Sequence, residues 1–577
     1  MAKRYYIGLA ATYHDPAIAI VGPDGRVLFA EACERYLQDK RAFNAPADHL
    51  VRAPELIRSF CEPDAELVLA VSWQKGYIYP MRAVADVSGL LGRVMSTNVD
   101  QTYTWPWPTL ENQMTALTAS ISMAGQNIRG SRAIPNKVVI RYYDHHLCHA
   151  ATACYTSPFA QAACAIIDGH GGKQSCGFFA YEDGRFRNVK NALLDGFDLG
   201  SLGQFYAVLC NLCGFDSVQG EEWKVMGLAA YGAFSDVWYR RLAPLLRVRG
   251  LSLIQMTGPR FLGELDALRR IARQPGQPAL EMADLACTGQ YRFCEIMCQL
   301  LQALHRKGIS DRLVLGGGCA LNSSWNGRIT QETPFTHLHV PMAPGDDGNA
   351  LGAAWLAFHE DHPRARPVPE VHDPYLGSRL TGKSLEHFVR FNAGRVTHHP
   401  EGPHQRVAEL LSDGKIVGWA RGPAEFGPRA LGNRSILADP RRTDMMDTIN
   451  ERVKFREEFR PFAPSILHGH GPDWFEHYQE SPYMDRTLRF RPEVRDRVPA
   501  VVHVDGTGRL QSVRKETAAD FYRLIDAFRE RTGIPMVLNT SFNVMGKPII
   551  HSVEDAVGVF YTTGLDALVI EDYLMEK

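Results

Sequence analysis

The sequence predicts an α/β protein in two parts. Three observations carry that prediction: its length, a strand–turn–strand unit that occurs twice, and a loss of periodicity near residue 360. The chain has 577 residues, more than one core of ordinary size accommodates. Hydrophobic residues make up 45% and charged residues 22%, an ordinary globular balance. The 63 basic and 64 acidic residues leave a net charge of -1. That argues against a broad nucleic-acid footprint and against electrostatic binding to membranes.

The first unit opens with Tyr5 to Leu9, a short apolar strand. Tyr13-His14-Asp15-Pro16 is a turn, Ala17 to Val21 a second strand, Pro23-Asp24-Gly25 a hairpin turn and Arg26 to Ala30 a third strand. The plan recurs from Ala163 to Ile167, through Asp168-Gly169-His170-Gly171-Gly172, to Ser175–Tyr181, Glu182-Asp183-Gly184 and Arg185–Val189. Such an internal repeat predicts two related lobes with a cleft between them, in the manner of the actin-like ATPase and sugar-kinase fold. Met1 to Gly8 runs straight into the first strand, with no signal-peptide core, and no run approaches a membrane span. We therefore expect a cytoplasmic protein. Its 12 cysteines sit in apolar contexts and read as reduced core thiols. Cys210/Cys213 and Cys294/Cys298 lie in helix-like windows with no second pair at zinc spacing.

Between the two units comes His145-His146-Leu147-Cys148-His149-Ala150. On a helix, His145 and His149 stack on one face, a geometry a divalent metal can bridge. The alternative is a capped helix with solvated histidines. Asp168 leaves the buried strand Ala163–Ile167 into a Gly-rich turn where backbone can approach a phosphate. Leu313-Val314-Leu315-Gly316-Gly317-Gly318-Cys319-Ala320-Leu321-Asn322 reads as a strand, a Gly turn and a helix start suited to phosphate. Pro344-Gly345-Asp346-Asp347-Gly348-Asn349 is an acidic turn entering a small-residue helix. Residues 75 to 130 read as irregular and aromatic, with Trp105-Pro106-Trp107-Pro108, and suit an acceptor wall, a dimer surface or plain packing.

From 359 to 380 the sequence gains Pro and charge and reads as a linker. The first domain is taken as 1–370 and a smaller α/β domain as 384–577, with strands at Lys415–Ala420 and Ile534–Leu538. This second domain holds a basic constellation. Arg429 and Arg434 stand among turn formers, Lys454 and Arg460 among Phe and Pro, and Arg509 follows Thr507-Gly508. Arg forks hold phosphate oxygens bidentately and Lys supplies a point charge. Asn539-Thr540-Ser541-Phe542-Asn543 adds neutral donors. The competing reading is a set of salt bridges with nearby Glu and Asp.

These motifs resemble the NodU/CmcH family of O-carbamoyltransferases. The resemblance is carried by Tyr13-His14-Asp15, the His145–Ala150 string, Asp168-Gly169, Lys224 to Gly232, Gly316 to Asn322, Glu425 to Gly432, Lys454 to Pro464 and Asn539 to Asn543. It implies an actin-like first domain and a YrdC-like second domain. It implies that the second domain cleaves carbamoyl phosphate and makes carbamoyl-adenylate from ATP, and that the first transfers the carbamoyl group to a hydroxyl of a small-molecule acceptor. His145, His149 and Asp168 then match metal ligands, with Asp346 as the fourth and Asp347 as its rival. The resemblance implies iron, although the ligand set suits other divalent ions. Lys454, Arg460, Arg509, Asn539 and Ser541 match the carbamoyl-phosphate pocket, with Arg429 beside them. Asp168, Gly169, Lys224, Gly316, Gly317, Gly318 and Asn322 are expected at the nucleotide, with Mg accompanying ATP. His14 is the candidate base, because imidazole titrates near neutral pH, and Asp15 stands with it in the catalytic set. Arg460 and Lys454 complete the catalytic set. Glu31-Ala32-Cys33-Glu34-Arg35-Tyr36-Leu37 and Gly220-Glu221-Glu222-Trp223 depart from the family pattern, which leaves the acceptor open.

Carbamate decomposes in water, so this chemistry needs a closed cationic cavity. The competing functions are a small-molecule kinase on the same fold, a regulatory ATP-binding protein and a tRNA-modifying carbamoyl-transfer enzyme. The net charge disfavours the last of these, and no nucleic-acid or membrane partner is expected. A homodimer is compatible with the sequence and not required by it.

Overall fold

The computed structural model describes residues 3–77, 107–172, 174–190, 200–256, 259–455, 457 and 459–577. Its first sheet contains β1 (Arg4–Ala10), β2 (Ala17–Val21), β3 (Val27–Ala32), β4 (Glu66–Val71) and β5 (Val138–Tyr142), in the order β3-β2-β1-β4-β5. β1, β2 and β3 form an antiparallel meander, while β4 runs parallel to β1 and β5 parallel to β4. The second sheet contains β6 (Gln161–Ile167), β7 (Cys176–Glu182), β8 (Arg185–Asn188), β11 (Arg312–Gly316) and β12 (His337–His339). Its order, β8-β7-β6-β11-β12, repeats the first, again with a meander and two parallel strands. The small hairpin of β9 (Leu246–Arg249) and β10 (Ser252–Gln255) stands apart.

The duplication read from the sequence is therefore a duplication of strand order, as an actin-like domain requires. β1 and β6 are apolar on both faces because each lies inside its sheet and is covered from both sides. The helix Asn349–Asp361 fills the space between the two sheets. Its Ala and Leu residues pack with Ala150, Ala151 and Ala153 of the helix His145–Tyr155 in one buried cluster.

The third sheet has nine strands: β13 (Val396–His398), β14 (Val417–Ala420), β15 (Arg434–Ala438), β16 (Ala463–Leu467), β17 (Arg486–Arg489), β18 (Thr507–Val513), β19 (Met536–Ser541), β20 (Ala567–Ile570) and β21 (Tyr573–Glu576). Their order is β13-β21-β20-β14-β15-β19-β16-β18-β17. A core built from Leu380 onward, centred on Trp419, Phe521, Phe528 and Phe542, covers this sheet.

Some local expectations shift. The strand read at Ile534–Leu538 runs from Met536 to Ser541, because Pro535 has no N–H to give a ladder and is best left at the strand entrance. The stretch from 107 to 130, read as irregular, contains the helices Trp107–Met123 and Gln126–Gly130. The aromatic pair Trp105-Pro106 lies outside the described residues. After the helix ending at Asp361 the backbone is irregular until the helix Lys383–Phe391. All twelve cysteines are free thiols. Burial raises the pKa of Cys210, and pushes that of Cys213 to about 12, as inert core thiols require. Among the described residues, no helix is long and apolar enough to cross a membrane.

Candidate active site at the junction of the three sheets

Four side chains from three segments converge at the carboxyl ends of the second sheet's parallel strands. Asp144 caps the helix His145–Tyr155 by accepting from the Leu147 amide. One turn of that helix puts His145 and His149 on the same face, both fully buried. β6 delivers Asp168, and the turn before the helix Asn349–Asp361 delivers Asp346. The two Nε2 atoms are 3.2 Å apart. Asp168 Oδ2 stands 3.3 Å from His145 and 3.6 Å from His149, and Asp346 Oδ1 stands 3.5 Å and 3.3 Å from the same two atoms. One ligand atom from each of the four residues lies within 4.8 Å of the other three. Donors about 2.0–2.2 Å from a tetrahedral ion are separated by about 3.3–3.6 Å, so the set fits a cation. Two imidazoles with two carboxylates suit a borderline divalent ion.

Burial opposes a charge on His145, but Asp346 and Asp168 outweigh it and push the ring's pKa up to about 10. Burial likewise opposes the Asp168 carboxylate, and the two histidines overcome it and hold its pKa well down. Asp346 is therefore the member of its acidic pair that joins the cluster. Asp347 turns away, and burial, then Asp15 and Glu34, push its pKa up to about 7.

The Gly-rich turn acts on this cluster. Gly318 donates its N–H to Asp168 Oδ1 at 3.0 Å. Gly317 has φ +84, and a Cβ there would lie 2.4 Å from the Ile167 carbonyl oxygen, so only glycine fits. Gly318 lines the cavity described below, whereas Gly316 and Gly317 are packed behind it. Asn322 also lines the cavity, but its amide exchanges two 3.0 Å hydrogen bonds with Gln290.

A single cavity of about 1520 Å³ reaches from Asp168, Gly169 and Asp346 to Arg429, Arg460 and Arg509. His14 lies on its wall. His14 Nδ1 is 2.9 Å from Asp15 Oδ2, and Arg41 donates to the same oxygen from Nε and Nη2 at 3.2 and 3.0 Å.

The strand order of the third sheet sets the other end. β15, β19, β16 and β18 are neighbours, with Asn539 opposite Leu437 on one side and Ala463 on the other. This register gathers the residues that precede β15 (Arg429), precede β16 (Arg460), lie in β18 (Arg509) and end β19 (Asn539, Ser541). Asn539 donates to Ser465 Oγ at 2.9 Å and Gln511 Oε1 at 3.2 Å. Lys454 does not reach the cavity wall. Its Nζ donates to the Ser541 carbonyl and, at 2.9 and 2.7 Å, to the carbonyl and Oδ1 of Asn543. Arg429 has no hydrogen-bond or acidic partner among the described residues, and burial pulls its pKa down to about 10. Its loop is clasped by the first part of the chain. Arg35 donates to the Gly427 carbonyl at 2.7 Å, and a Cβ on Gly427 would lie 2.2 Å from the Met342 carbonyl.

Sequence reasoning did not single out Trp223, Glu457 or Arg41 as site residues. Lys224 Nζ is 2.7 Å from both Glu221 and Glu457, and Arg460 Nη1 is 3.2 Å from Glu457. Lys224 therefore meets carboxylates as the structure stands. The available signal was the Gly220–Trp223 segment, whose tryptophan stands beside a lysine at a cavity edge.

Comparison with known sequences now decides the family. The profile described as Carbamoyltransferase N-terminus matches residues 111–355, and that of Carbamoyltransferase C-terminus matches 408–577. The chain belongs to the carbamoyltransferase family. Nodulation protein NolNO of Sinorhizobium fredii is 37% identical over 78% of this chain and 65% of its own. Nodulation protein NolO of Bradyrhizobium diazoefficiens is 36% identical over 75% of this chain and 79% of its own. An uncharacterized protein of Synechocystis, sll1178, is 30% identical over 99% of this chain and 97% of its own. Among solved structures, the activator of the 2-hydroxyisocaproyl-CoA dehydratase from Clostridium difficile aligns with a TM-score of 0.32 and 14% identity, over 62% of this chain and 96% of that one. HypF of T. kodakarensis aligns at 0.29 and 12%, over 64% and 49%. The lobe assignment of this carbamoyltransferase rests on its two strand orders and not on those alignments.

Proposed function

We propose that this carbamoyltransferase is ATP-dependent. In this reading it cleaves carbamoyl phosphate to carbamate and phosphate, carbamate attacks ATP to give carbamoyl-adenylate and pyrophosphate, and the carbamoyl group then passes to a hydroxyl of a small-molecule natural product with release of AMP. The supporting observation is the continuity of the cavity, which has at one end the guanidinium of Arg429, without a partner among the described residues, and at the other His14 with the four-ligand cluster.

At the basic end, Arg429, Arg460 and Arg509 bind the phosphate of carbamoyl phosphate, since guanidinium forks match phosphate oxygens. Arg429 is unpaired before substrate arrives, so an anion there gains a full ion pair without breaking one. The Asn539 amide and Ser541 hydroxyl contact the carbamoyl end, and Lys454 holds the Ser541–Asn543 turn from behind. The nucleotide lies between the two ends, against Lys224, Gly169, Gly318 and Asn322.

His145, His149, Asp168 and Asp346 would hold a divalent metal, with iron as the family expectation, and a metal bound there would supply positive charge to phosphate oxygens. The Asp15 carboxylate accepts from His14 Nδ1–H and leaves Nε2 free to take the acceptor's hydroxyl proton. Burial opposes ionisation of Asp15, but Arg41 and His14 hold its pKa below the ordinary carboxylate value, so it remains a hydrogen-bond acceptor.

We assign adenylate formation to residues 384–577 as a YrdC-like domain and transfer to residues 1–370. The test is pyrophosphate release from ATP with and without carbamoyl phosphate, in the absence of acceptor. Release that requires carbamoyl phosphate and is lost in Arg460→Ala supports the reading. ADP in place of pyrophosphate refutes it in favour of a kinase.

A further inference from the structure

We infer that Asn349 fixes the His145 imidazole in the form that a metal requires, by accepting a hydrogen bond from Nδ1–H. The inference rests on the reading of His145, His149, Asp168 and Asp346 as a cation site, and names the residue that orients one of its ligands.

Nε2 of His145 is the ring atom that faces the cluster, 3.2 Å from His149 Nε2 and 3.3 Å from Asp168 Oδ2. A nitrogen that gives its lone pair to a cation carries no proton, so the proton of the neutral ring sits on Nδ1. His145 is completely buried, so Nδ1–H needs an acceptor within the protein. Among the described residues, the side chain that meets Nδ1 is the carboxamide of Asn349, 3.3 Å away and itself completely buried. Nδ2 is the end that stands there, and a half-turn of the carboxamide exchanges it for Oδ1 without moving another atom. Oδ1 in its present position has no hydrogen-bond partner among the described residues. No second bond therefore holds the amide in one orientation, and the imidazole decides which end it meets.

The ring itself is fixed. Trp73 lies against it, with centroids 4.1 Å apart and planes 33° from parallel. The Asn349 backbone is set at the first turn of the helix Asn349–Asp361, where the preceding carbonyl, of Gly348, accepts from Thr152 Oγ1 at 2.7 Å. Side chains that orient a ligating histidine typically change metal affinity by about 10–100-fold when removed.

The test is titration of the apo-protein with Co²⁺, with the visible absorption of the bound ion as readout and Zn²⁺ competition for affinity. Four proteins are compared: the parent, Asn349→Leu, Asn349→Asp and His145→Ala. Asn349→Leu keeps the branched shape and the number of heavy atoms and removes the acceptor, and about a 10–100-fold loss of affinity is expected. Asn349→Asp keeps only acceptors and is expected to bind at least as tightly as the parent. Parental affinity in Asn349→Leu overturns the inference, and so does binding by Asn349→Asp that is weaker than by Asn349→Leu. Should Asn349→Leu fail to fold, the comparison of Asn349→Asp with the parent still decides, because a partner that acted as donor would make the carboxylate repel the site. If the parent binds Co²⁺ no better than His145→Ala does, the cation site itself fails and this inference with it, an outcome distinct from failure at Asn349 alone.

Discussion

The Arg460 guanidinium carbon lies 3.8 Å from the centre of the Trp223 ring. The two residues come from the two parts of the chain and meet on the wall of the cavity. Glu457 pairs with Arg460 from the side, at 3.2 Å, and with Lys224 at 2.7 Å.

Trp223→Leu should therefore weaken carbamoyl phosphate binding more than turnover. A partly desolvated cation–π contact contributes about 1–2 kcal/mol, so KM for carbamoyl phosphate should rise about 5–30-fold. Trp223→Phe should recover part of the loss. Steady-state kinetics at saturating ATP check this, and an unchanged KM in the leucine variant would sink it.

Arg429 should divide stability from function. A half-buried cation with no partner among the described residues is destabilising, so Arg429→Met should melt at or above the parental Tm while losing carbamoyl-phosphate-dependent pyrophosphate release. Calorimetry with the pyrophosphate assay tests both halves. A lower Tm with retained turnover would show that the guanidinium is structural.

Asp346 and Asp347 are adjacent but should behave oppositely. Asp346→Asn removes a donor from the cluster and should lower metal affinity by about 100-fold or more. Asp347→Asn should leave affinity unchanged, because its carboxyl faces Asp15 and Glu34. Equilibrium dialysis of the two variants against Zn²⁺ distinguishes them, and equal losses would refute the assignment.

Acid should loosen the contact between the two parts through Glu31. Arg52 Nε donates to this buried carboxylate at 3.1 Å, His551 Nε2 stands 3.1 Å from it, and Ser378 bonds it as well. Burial would raise its pKa, but His551, Arg52 and Ser378 outweigh burial and hold it at about 2, against an ordinary 4.5. A depressed folded-state pKa gives stability that is full above pH 4.5 and fades as pH falls towards 2. The most it contributes is about 3 kcal/mol. In denaturant melts across this range, the difference between the parent and Glu31→Gln should shrink as pH falls. A constant difference would refute the linkage.

The repeated lobe was legible because its hairpin turns, Pro23-Asp24-Gly25 and Glu182-Asp183-Gly184, punctuate runs of short strands whose inner members β1, β2 and β6 are apolar on both faces. His145, His149 and Asp168 could be grouped because helix spacing and a strand end are local signals. The choice of Asp346 over Asp347 was not legible, since neighbours in a tight turn point apart and only the fold says which way. Lys454 reads as a phosphate ligand by its charge, yet its ammonium is occupied by the turn at Ser541–Asn543. Trp223 and Asn349 act across contacts more than a hundred residues apart in sequence, which no periodicity reports. The extent of the strands at Val27 and Met536 depended on ladder pairing, and pairing is tertiary.

The clasp at Gly427 has a consequence for recombination. Arg35 and Met342 grip this loop from the first part of the chain, and Phe426 and Tyr483 lie in the same core as Ala150 and Trp355. A crossover placed in the stretch around residue 375 would look harmless by its Pro-rich composition, yet it would join surfaces that had not evolved together. Parental pairs of halves should tolerate exchange only when the loop and the segment beneath it travel as one block. Changes of acceptor are then more safely sought by substitution within the cavity wall than by trading halves between relatives.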